Sequence, residues 1–127
     1  MSQHDLTLDA DPDAALASIL AVSQGQPVLV FKKSPICPVS HRAEWEFKSW
    51  RKTLADDAAV RIAVIDVIAE KPLARGLTAA LDVQHESPQA LWFDGGALRW
   101  HGSHGELTQA RFTDLAATSG SGTDRDG

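Results

Sequence analysis

The amino-acid sequence predicts a single α/β domain: a central mixed four-stranded sheet flanked by helices, with an extra helix ahead of the first strand. Three observations carry that expectation. Two short apolar runs rich in β-branched residues, 28–32 and 62–65, are separated by an amphipathic stretch long enough to be a crossover helix, so they form a βαβ unit with parallel strands. Asp94-Gly95-Gly96 lies between Ala90-Leu91-Trp92-Phe93 and Ala97-Leu98-Arg99-Trp100-His101, a hairpin signal that adds an antiparallel pair. The intervening segments carry apolar residues at helical spacing, which places helices on both faces of the sheet.

The elements follow in order. Asp11 is suited to cap a first helix with Pro12 at its first position; Leu16, Ile19 and Leu20 form its apolar stripe, and Gly25 ends it. Residues 28–32 read as a strand covered on both faces. From about 41 to 54, Ala43, Phe47, Trp50 and Leu54 make a core-facing stripe, Glu44, Glu46, Lys48, Arg51 and Lys52 a solvated face, and Asp56-Asp57 the end of the helix. Ile62-Ala63-Val64-Ile65 is expected to be a second buried strand. Pro72 starts a helix whose apolar face is Leu73, Leu77, Ala80 and Leu81, with Gly76 inside it to allow close packing. Pro88, directly before the third strand, marks the start of that strand or a cis turn. The strand at 97–101 alternates and is expected to be more exposed, and a last helix from about Thr108 carries Phe112, Leu115 and Ala116.

Residues 1–118 are thus expected to form the domain, and 119–127, built only of Gly, Ser, Thr, Asp and Arg, a disordered tail. The net charge of -5 opposes a nucleic-acid or anionic-membrane surface as the main partner, because both need a concentrated basic patch. No apolar run approaches the roughly 18 residues that span a bilayer, and residues 1–5 lack the start of a secretory signal, so a cytoplasmic protein is expected. Cys37 is the only cysteine, so any disulfide it forms is with another molecule.

Cys37 lies in Ser34-Pro35-Ile36-Cys37-Pro38-Val39-Ser40, where the first strand hands over to a helix. Unpaired N–H groups and the positive end of the helix dipole favour a thiolate at such a place, lowering a thiol pKa from about 8.5 towards roughly 3.5 to 7.5. A small buried hydrophobe is the other reading of a lone cysteine after a strand. Pro38 suits the first helical position, and Ser40 stands where a two-cysteine motif would carry its second thiol, giving Cys-x-x-Ser. The Ser40 hydroxyl can donate to a thiolate or cap backbone groups of the first turn. Lys32 and Lys33 either favour anionic ligands near the thiol or form a solvated strand end, the expected case. His41 is expected to be an exposed helix histidine. His85, His101 and His104 with Cys37 lack a recognisable ligand spacing, so no metal site is expected. Trp45, Trp50, Trp92 and Trp100 are expected to pack in the core or on the sheet, with Trp45, off the stripe, partly exposed.

The element order, with a thiol after the first strand and a proline before the third, resembles a shortened thioredoxin fold. Four motifs in sequence are narrower: Phe31-Lys32-Lys33-Ser34-Pro35-Ile36-Cys37-Pro38-Val39-Ser40, Asp66-Val67, His85-Glu86-Ser87-Pro88-Gln89 and Trp100-His101-Gly102-Ser103-His104. Together they resemble the YtxJ-type monothiol bacilliredoxins of the bacillithiol system, over about residues 28–115. The resemblance implies that Cys37 is the nucleophile, that Pro88 is a cis-proline facing it with Ser87 and Gln89 alongside, and that Ser34, Pro38 and Ser40 support the site. Lys32, His85 and His104 are further candidates, with Ser103 and His104 fixing the turn before the last helix. Where the family often has Thr-Arg before the cysteine, this chain has Pro35-Ile36, which supplies no cation there.

The implied activity is that of a monothiol thiol-disulfide oxidoreductase. It would remove bacillithiol, or a similar low-molecular-weight thiol, from S-thiolated client proteins; the thiol is a co-substrate, and no bound cofactor, nucleic acid or membrane is expected. Two other readings stand beside it: an iron-sulfur or metal carrier using Cys37 with external thiols, and a thioredoxin-like binding module with an inert thiol.

Overall fold

A computed structural model describes residues 4–36 and 38–118. The tail at 119–127, expected to be disordered, and Cys37 itself lie outside the described residues.

The order of elements is α1 (Pro12–Val22), β1 (Val28–Lys33), α2 (Pro38–Lys52), β2 (Arg61–Asp66), α3 (Lys71–Ala80), β3 (Gln89–Asp94), β4 (Ala97–Ser103), a single 3-10 turn at His104–Glu106, and α4 (Gln109–Thr118). The sheet runs β2-β1-β3-β4, with β1 parallel to β2 and antiparallel to β3, and β3 antiparallel to β4. The mixed sheet follows from connection length: the α2 crossover is long enough to return the chain parallel, whereas the two-residue Gly95-Gly96 link can only reverse it. Both glycines have positive φ, 65° and 82°, as a tight hairpin turn with the twist of its strands requires.

Alternation along the strands builds two cores, one on each face. Val28 and Val30 of β1, Ala63 and Ile65 of β2, and Leu91 and Phe93 of β3 pack with Ala15 and Ile19 of α1 and Leu73, Ala74 and Leu77 of α3. Leu29, Phe31, Ile62, Ala90 and Trp92 point the other way, onto Ala43, Phe47 and Trp50 of α2 and Phe112 of α4. That second core is aromatic: Phe31 and Phe47 stack with centroids 4.5 Å apart, and Trp50 meets Trp92 edge-on at 6.4 Å.

The helix ends have local causes. An oxygen of the Asp11 carboxylate accepts from the Ala14 N–H at 2.9 Å and starts α1. The Ser23 hydroxyl, after α1, donates to the Leu20 carbonyl at 2.8 Å and accepts from the Gly96 N–H at 3.0 Å, so the helix end is tied to the hairpin. Gly76 lies against Pro12: a Cβ there would overlap the ring Cγ and stand 2.6 Å from Cβ, which is the close α1–α3 packing expected of it.

Four expectations are corrected. Helix α2 ends at Lys52 rather than at Asp56-Asp57, because the β-branched Thr53 turns its hydroxyl back to the Trp50 carbonyl at 2.6 Å; Leu54 packs on the core from beyond the helix. Strand β2 is buried at Ile62, Ala63 and Ile65 as expected, but not at Val64. It lies at the edge of the sheet, and Val64 on it is 41% exposed. In α3 the buried positions are Leu73, Ala74, Leu77 and Thr78, with Leu81 half-buried against the same core; Ala80 is exposed because at 100° per residue it falls to the side of that stripe. Lys32 is not a solvated strand end, for reasons given below.

The chain before α1, which carried no structural expectation, covers the outer edge of β2. Asp5 bridges Ile62, the Leu6 N–H donates to the Ile62 carbonyl at 2.8 Å, and the buried His4 ring lies 3.0 Å from the Val60 carbonyl and 3.1 Å from that of Ala55. An otherwise open edge is thereby blocked to other strands. Among the described residues no helix is long and apolar enough to cross a membrane.

Candidate functional site

Chemistry-bearing residues gather at one end of the sheet, where β1 finishes and β3 begins. After Lys33 the chain turns through Ser34-Pro35-Ile36, and α2 starts at Pro38, the residue following Cys37. Proline is favoured at a helix start because it has no N–H to leave unpaired, and Pro38 is exposed there. One helical turn on, the fully buried Ser40 accepts the Ser34 N–H at 2.8 Å. Of its two candidate roles, the one realised among the described residues is the backbone role: its hydroxyl holds the turn that carries the motif. His41 is exposed, with Nε2 3.0 Å from the Pro35 carbonyl.

The antiparallel register of β1 and β3 places Lys32 opposite Gln89. Lys32 has no exposed surface. Its ammonium donates to Gln89 Oε1 at 2.7 Å and lies 2.7 Å from His85 Nδ1. Gln89 is itself fixed, its amide nitrogen donating to the Gln84 carbonyl at 3.0 Å and its oxygen also accepting from the Glu86 N–H at 3.3 Å. A lysine at the end of a strand is normally free to reach water; here the segment 84–89 folds over it and supplies two acceptors, which is why it stays inside. The Lys32 pKa is lowered to about 8, by burial first and then by the charge of Arg75, with Glu86 opposing both. His85 is also held below the usual imidazole range, by burial first and then by the charges of Lys32 and Arg75.

The Ser87–Pro88 peptide bond is cis. Pro88 is buried, and its carbonyl accepts the His104 N–H at 3.2 Å, so the segment before β3 is tied to the turn after β4. His104, at φ 51°, opens that turn; Ser103 and Glu106 close it as a capping box, and His104 Nε2 lies 3.8 Å from Glu86. Ser103 and His104 therefore have the structural position expected of them.

An open groove of about 550 Å³ runs beside these residues, lined by Ser34, Ile36, Val67, Ile68, Lys71, Arg75, His85 and Ser87. It joins the turn before Cys37, the start of α3 and the cis-proline segment. The Ser87 hydroxyl is buried and has no hydrogen-bond partner among the described residues. No group of three or more His, Cys, Asp or Glu able to hold a metal occurs among the described residues. Of the candidate residues, Ser34 with Ser40, Lys32 with His85 and Gln89, Pro88 with His104, and Ser87 through the groove are brought to one place.

Residues 10–112 match the family described as Monothiol bacilliredoxin BrxC. The chain belongs to that family. Solved structures agree at the level of fold. A protein described as having a thioredoxin fold superposes with TM-score 0.66 at 23% identity, covering 87% of this chain and 90% of its own. A mutant thioredoxin from Halobacterium salinarum NRC-1 gives 0.63 at 20% identity, with 94% of each chain covered. Reduced desulfothioredoxin from Desulfovibrio vulgaris Hildenborough gives 0.60 at 18%, covering 93% of this chain and 99% of its own. The fold is that of thioredoxin, and bacilliredoxin membership supports a thiol redox function.

Sequence reasoning missed the far wall of the groove. Lys71 and Arg75 had no role assigned, and Val67 was noted only within a motif. One signal was available: Lys71 opens α3, where the helix dipole disfavours positive charge, with no acidic residue in the first turn, and Arg75 follows four residues later on the same side of the helix.

Proposed function

We propose that this protein removes a low-molecular-weight thiol, bacillithiol or one like it, from S-thiolated client proteins through Cys37. The observation that carries the reading is the groove, whose walls come both from the turn preceding Cys37 and from the cis-proline segment of a bacilliredoxin chain. A mixed disulfide needs both: a place for the cap beside the nucleophile, and exposed backbone next to it for the extended client.

The Cys37 thiolate attacks the sulfur of the small thiol. A disulfide forms between Cys37 and that thiol, the original disulfide breaks, and the client cysteine leaves as a thiolate that takes a proton from water. Ser40 has no sulfur with which to resolve the intermediate. A second molecule of the small thiol, as thiolate, then attacks the sulfur of the cap, forming the symmetrical small-molecule disulfide and returning Cys37 as thiolate. Pro38 at the first position of α2 and the positive charge of Lys32 behind the site both favour an anionic sulfur in this neighbourhood. The reaction requires no bound cofactor and takes place on a protein surface rather than on nucleic acid or membrane, in a reducing compartment such as the cytoplasm.

The test is release of bacillithiol from a bacillithiolated client by wild type and by Cys37→Ala. Wild type should release the cap catalytically in the presence of free bacillithiol, and equal activity in the two proteins would end the proposal.

A further inference from the structure

Lys32 has no exposed surface, yet its ammonium is not sealed off from the site. It has two acceptors. Gln89 Oε1, at 2.7 Å, is an amide oxygen that already accepts the Glu86 N–H, and a side-chain amide does not pass a proton on. His85 Nδ1, also at 2.7 Å, belongs to a ring with a second nitrogen, and His85 lines the groove that runs from the turn preceding Cys37 to Ser87. Among the described residues, a proton on Lys32 therefore has one route to the groove: in at Nδ1 and out at Nε2.

The charges around the pair suit transfer rather than storage on the ring. Lys71 and Arg75 of α3 line the same groove, Glu86 neighbours His85 in the chain, His104 lies 3.8 Å beyond Glu86, and Lys33 is turned to Glu44 at 3.6 Å. Burial first, then the charges of Lys32 and Arg75, hold His85 below the usual imidazole range, so the ring stays neutral and conducts. Lys32, lowered to about 8, is matched to a thiol of about 8.5, so a proton moves either way between them at little cost.

We propose that Lys32 and His85 form a proton relay for the exchange at Cys37: the ammonium protonates the departing client sulfur through the imidazole, and the amine left behind takes the proton back from the resolving thiol. The inference rests on the exchange reaction proposed above and deepens it, putting the relay in place of water as the source of the client's proton. In-line displacement at the cap sulfur puts the departing client sulfur and the attacking resolving sulfur at the same place, opposite Cys37, so one relay serves both. In the first exchange His85 gives its Nε2 proton to the client sulfur while Nδ1 takes one from Lys32. The client leaves as a thiol, Lys32 is a neutral amine, and the ring carries its proton on Nδ1. In the second exchange the small thiol gives its proton to Nε2, Nδ1 returns its own to Lys32, and the small thiolate attacks the cap sulfur and frees Cys37 as thiolate. The proton lent in one step is recovered in the next, and the small thiol is the only reductant.

The experiment uses two disulfides with the same small-thiol cap, one joined to a cysteine peptide and one to thionitrobenzoate, an acidic aryl thiol that leaves as a stable anion and needs no proton. Single-turnover release is measured for wild type, His85→Gln and Lys32→Met, each folded by circular dichroism. Glutamine at 85 keeps an acceptor for the buried ammonium but cannot relay. Peptide release should slow about a hundredfold in each variant while thionitrobenzoate release stays within about threefold, the asymmetry expected of lost general-acid help. In wild type the ratio of peptide to thionitrobenzoate rates, in which Cys37 ionisation cancels, should fall as pH rises through about 8, where Lys32 loses its proton; in Lys32→Met the ratio should be flat. Equal slowing of both releases, or none, overturns the relay and leaves the exchange reaction standing. Loss confined to Lys32→Met, with His85→Gln at the wild-type rate, shows a static charge effect and overturns the relay too. Failure of wild type to release either thiol through Cys37 takes down the exchange reaction together with the relay.

Discussion

Lys32 Nζ lies 2.7 Å from His85 Nδ1, so a strand lysine with no exposed surface holds the ring of a histidine that lines the groove. While Lys32 is an ammonium it can only donate, so Nδ1 must accept and a neutral His85 carries its proton on Nε2. The two groups thus share one electrostatic state, set by burial and by Arg75.

Replacing Lys32 by Met should therefore release His85. Its pKa, lowered by burial and by the Lys32 charge, is expected to move up towards the ordinary imidazole value, and the Nε2–H preference to weaken. Nitrogen-detected NMR titration of His85 in wild type and Lys32→Met reads both effects. An identical midpoint in the two proteins would show that the contact does not couple them.

The same lysine makes stability depend on pH. Its pKa falls from 10.5 to about 8 on folding, so between those values the unfolded chain binds more protons and stability rises with pH. Below pH 8 both states are charged and the burial penalty is present in full; above 10.5 both are neutral and it is gone. Relative to Lys32→Met, wild type should gain up to about 3 kcal/mol in urea unfolding free energy from pH 8 to 10.5. A flat difference across that window would contradict burial of the charged group.

Ser40→Ala should destabilise the protein by about 1–3 kcal/mol, because it leaves the Ser34 N–H unpaired in a buried turn. Urea denaturation measures the loss. If the turn that Ser40 holds also positions Cys37, cap removal should slow more than the fall in folded fraction accounts for.

Gly76→Ala separates propensity from packing. Alanine favours a helix interior over glycine by about 1 kcal/mol, yet the added Cβ would overlap the rigid ring of Pro12. We expect net destabilisation of about 1–3 kcal/mol, recovered in part by Pro12→Ala in the same chain, since the clash then disappears. Equilibrium unfolding of the three variants forms the double-mutant cycle that decides it.

The elements were legible because their signals are local. Apolar period set the strands and helices, Asp11-Pro12 and Gly95-Gly96 set a cap and a turn, and Gly76 was marked as a point of close approach. The motif residues Ser34, Ser87, Pro88 and Gln89 were likewise found by pattern, and the structure draws them to one end of the sheet. What failed depended on neighbours in space. The composition of β2 reads as buried, but composition does not say which strand ends at the sheet edge, and Val64 is left in the open. In α3 the apolar residues alone set the helical phase, which named Ala80; the buried stripe includes the polar Thr78 and leaves Ala80 to one side.

From the sequence alone come the α/β class, the element order, the hairpin, the single thiol with a serine where a second would stand, and the kinship to bacilliredoxins. Each is a property of residues close together in the chain or of a pattern that recurs across it. The tertiary structure alone decided the fate of Lys32, the backbone role of Ser40 and the cationic wall of Lys71 and Arg75. A lysine stays inside only when acceptors from elsewhere in the chain satisfy its ammonium, and here they arrive from 53 and 57 residues away. Pattern records what a residue prefers, whereas burial and charge depend on what the fold brings against it.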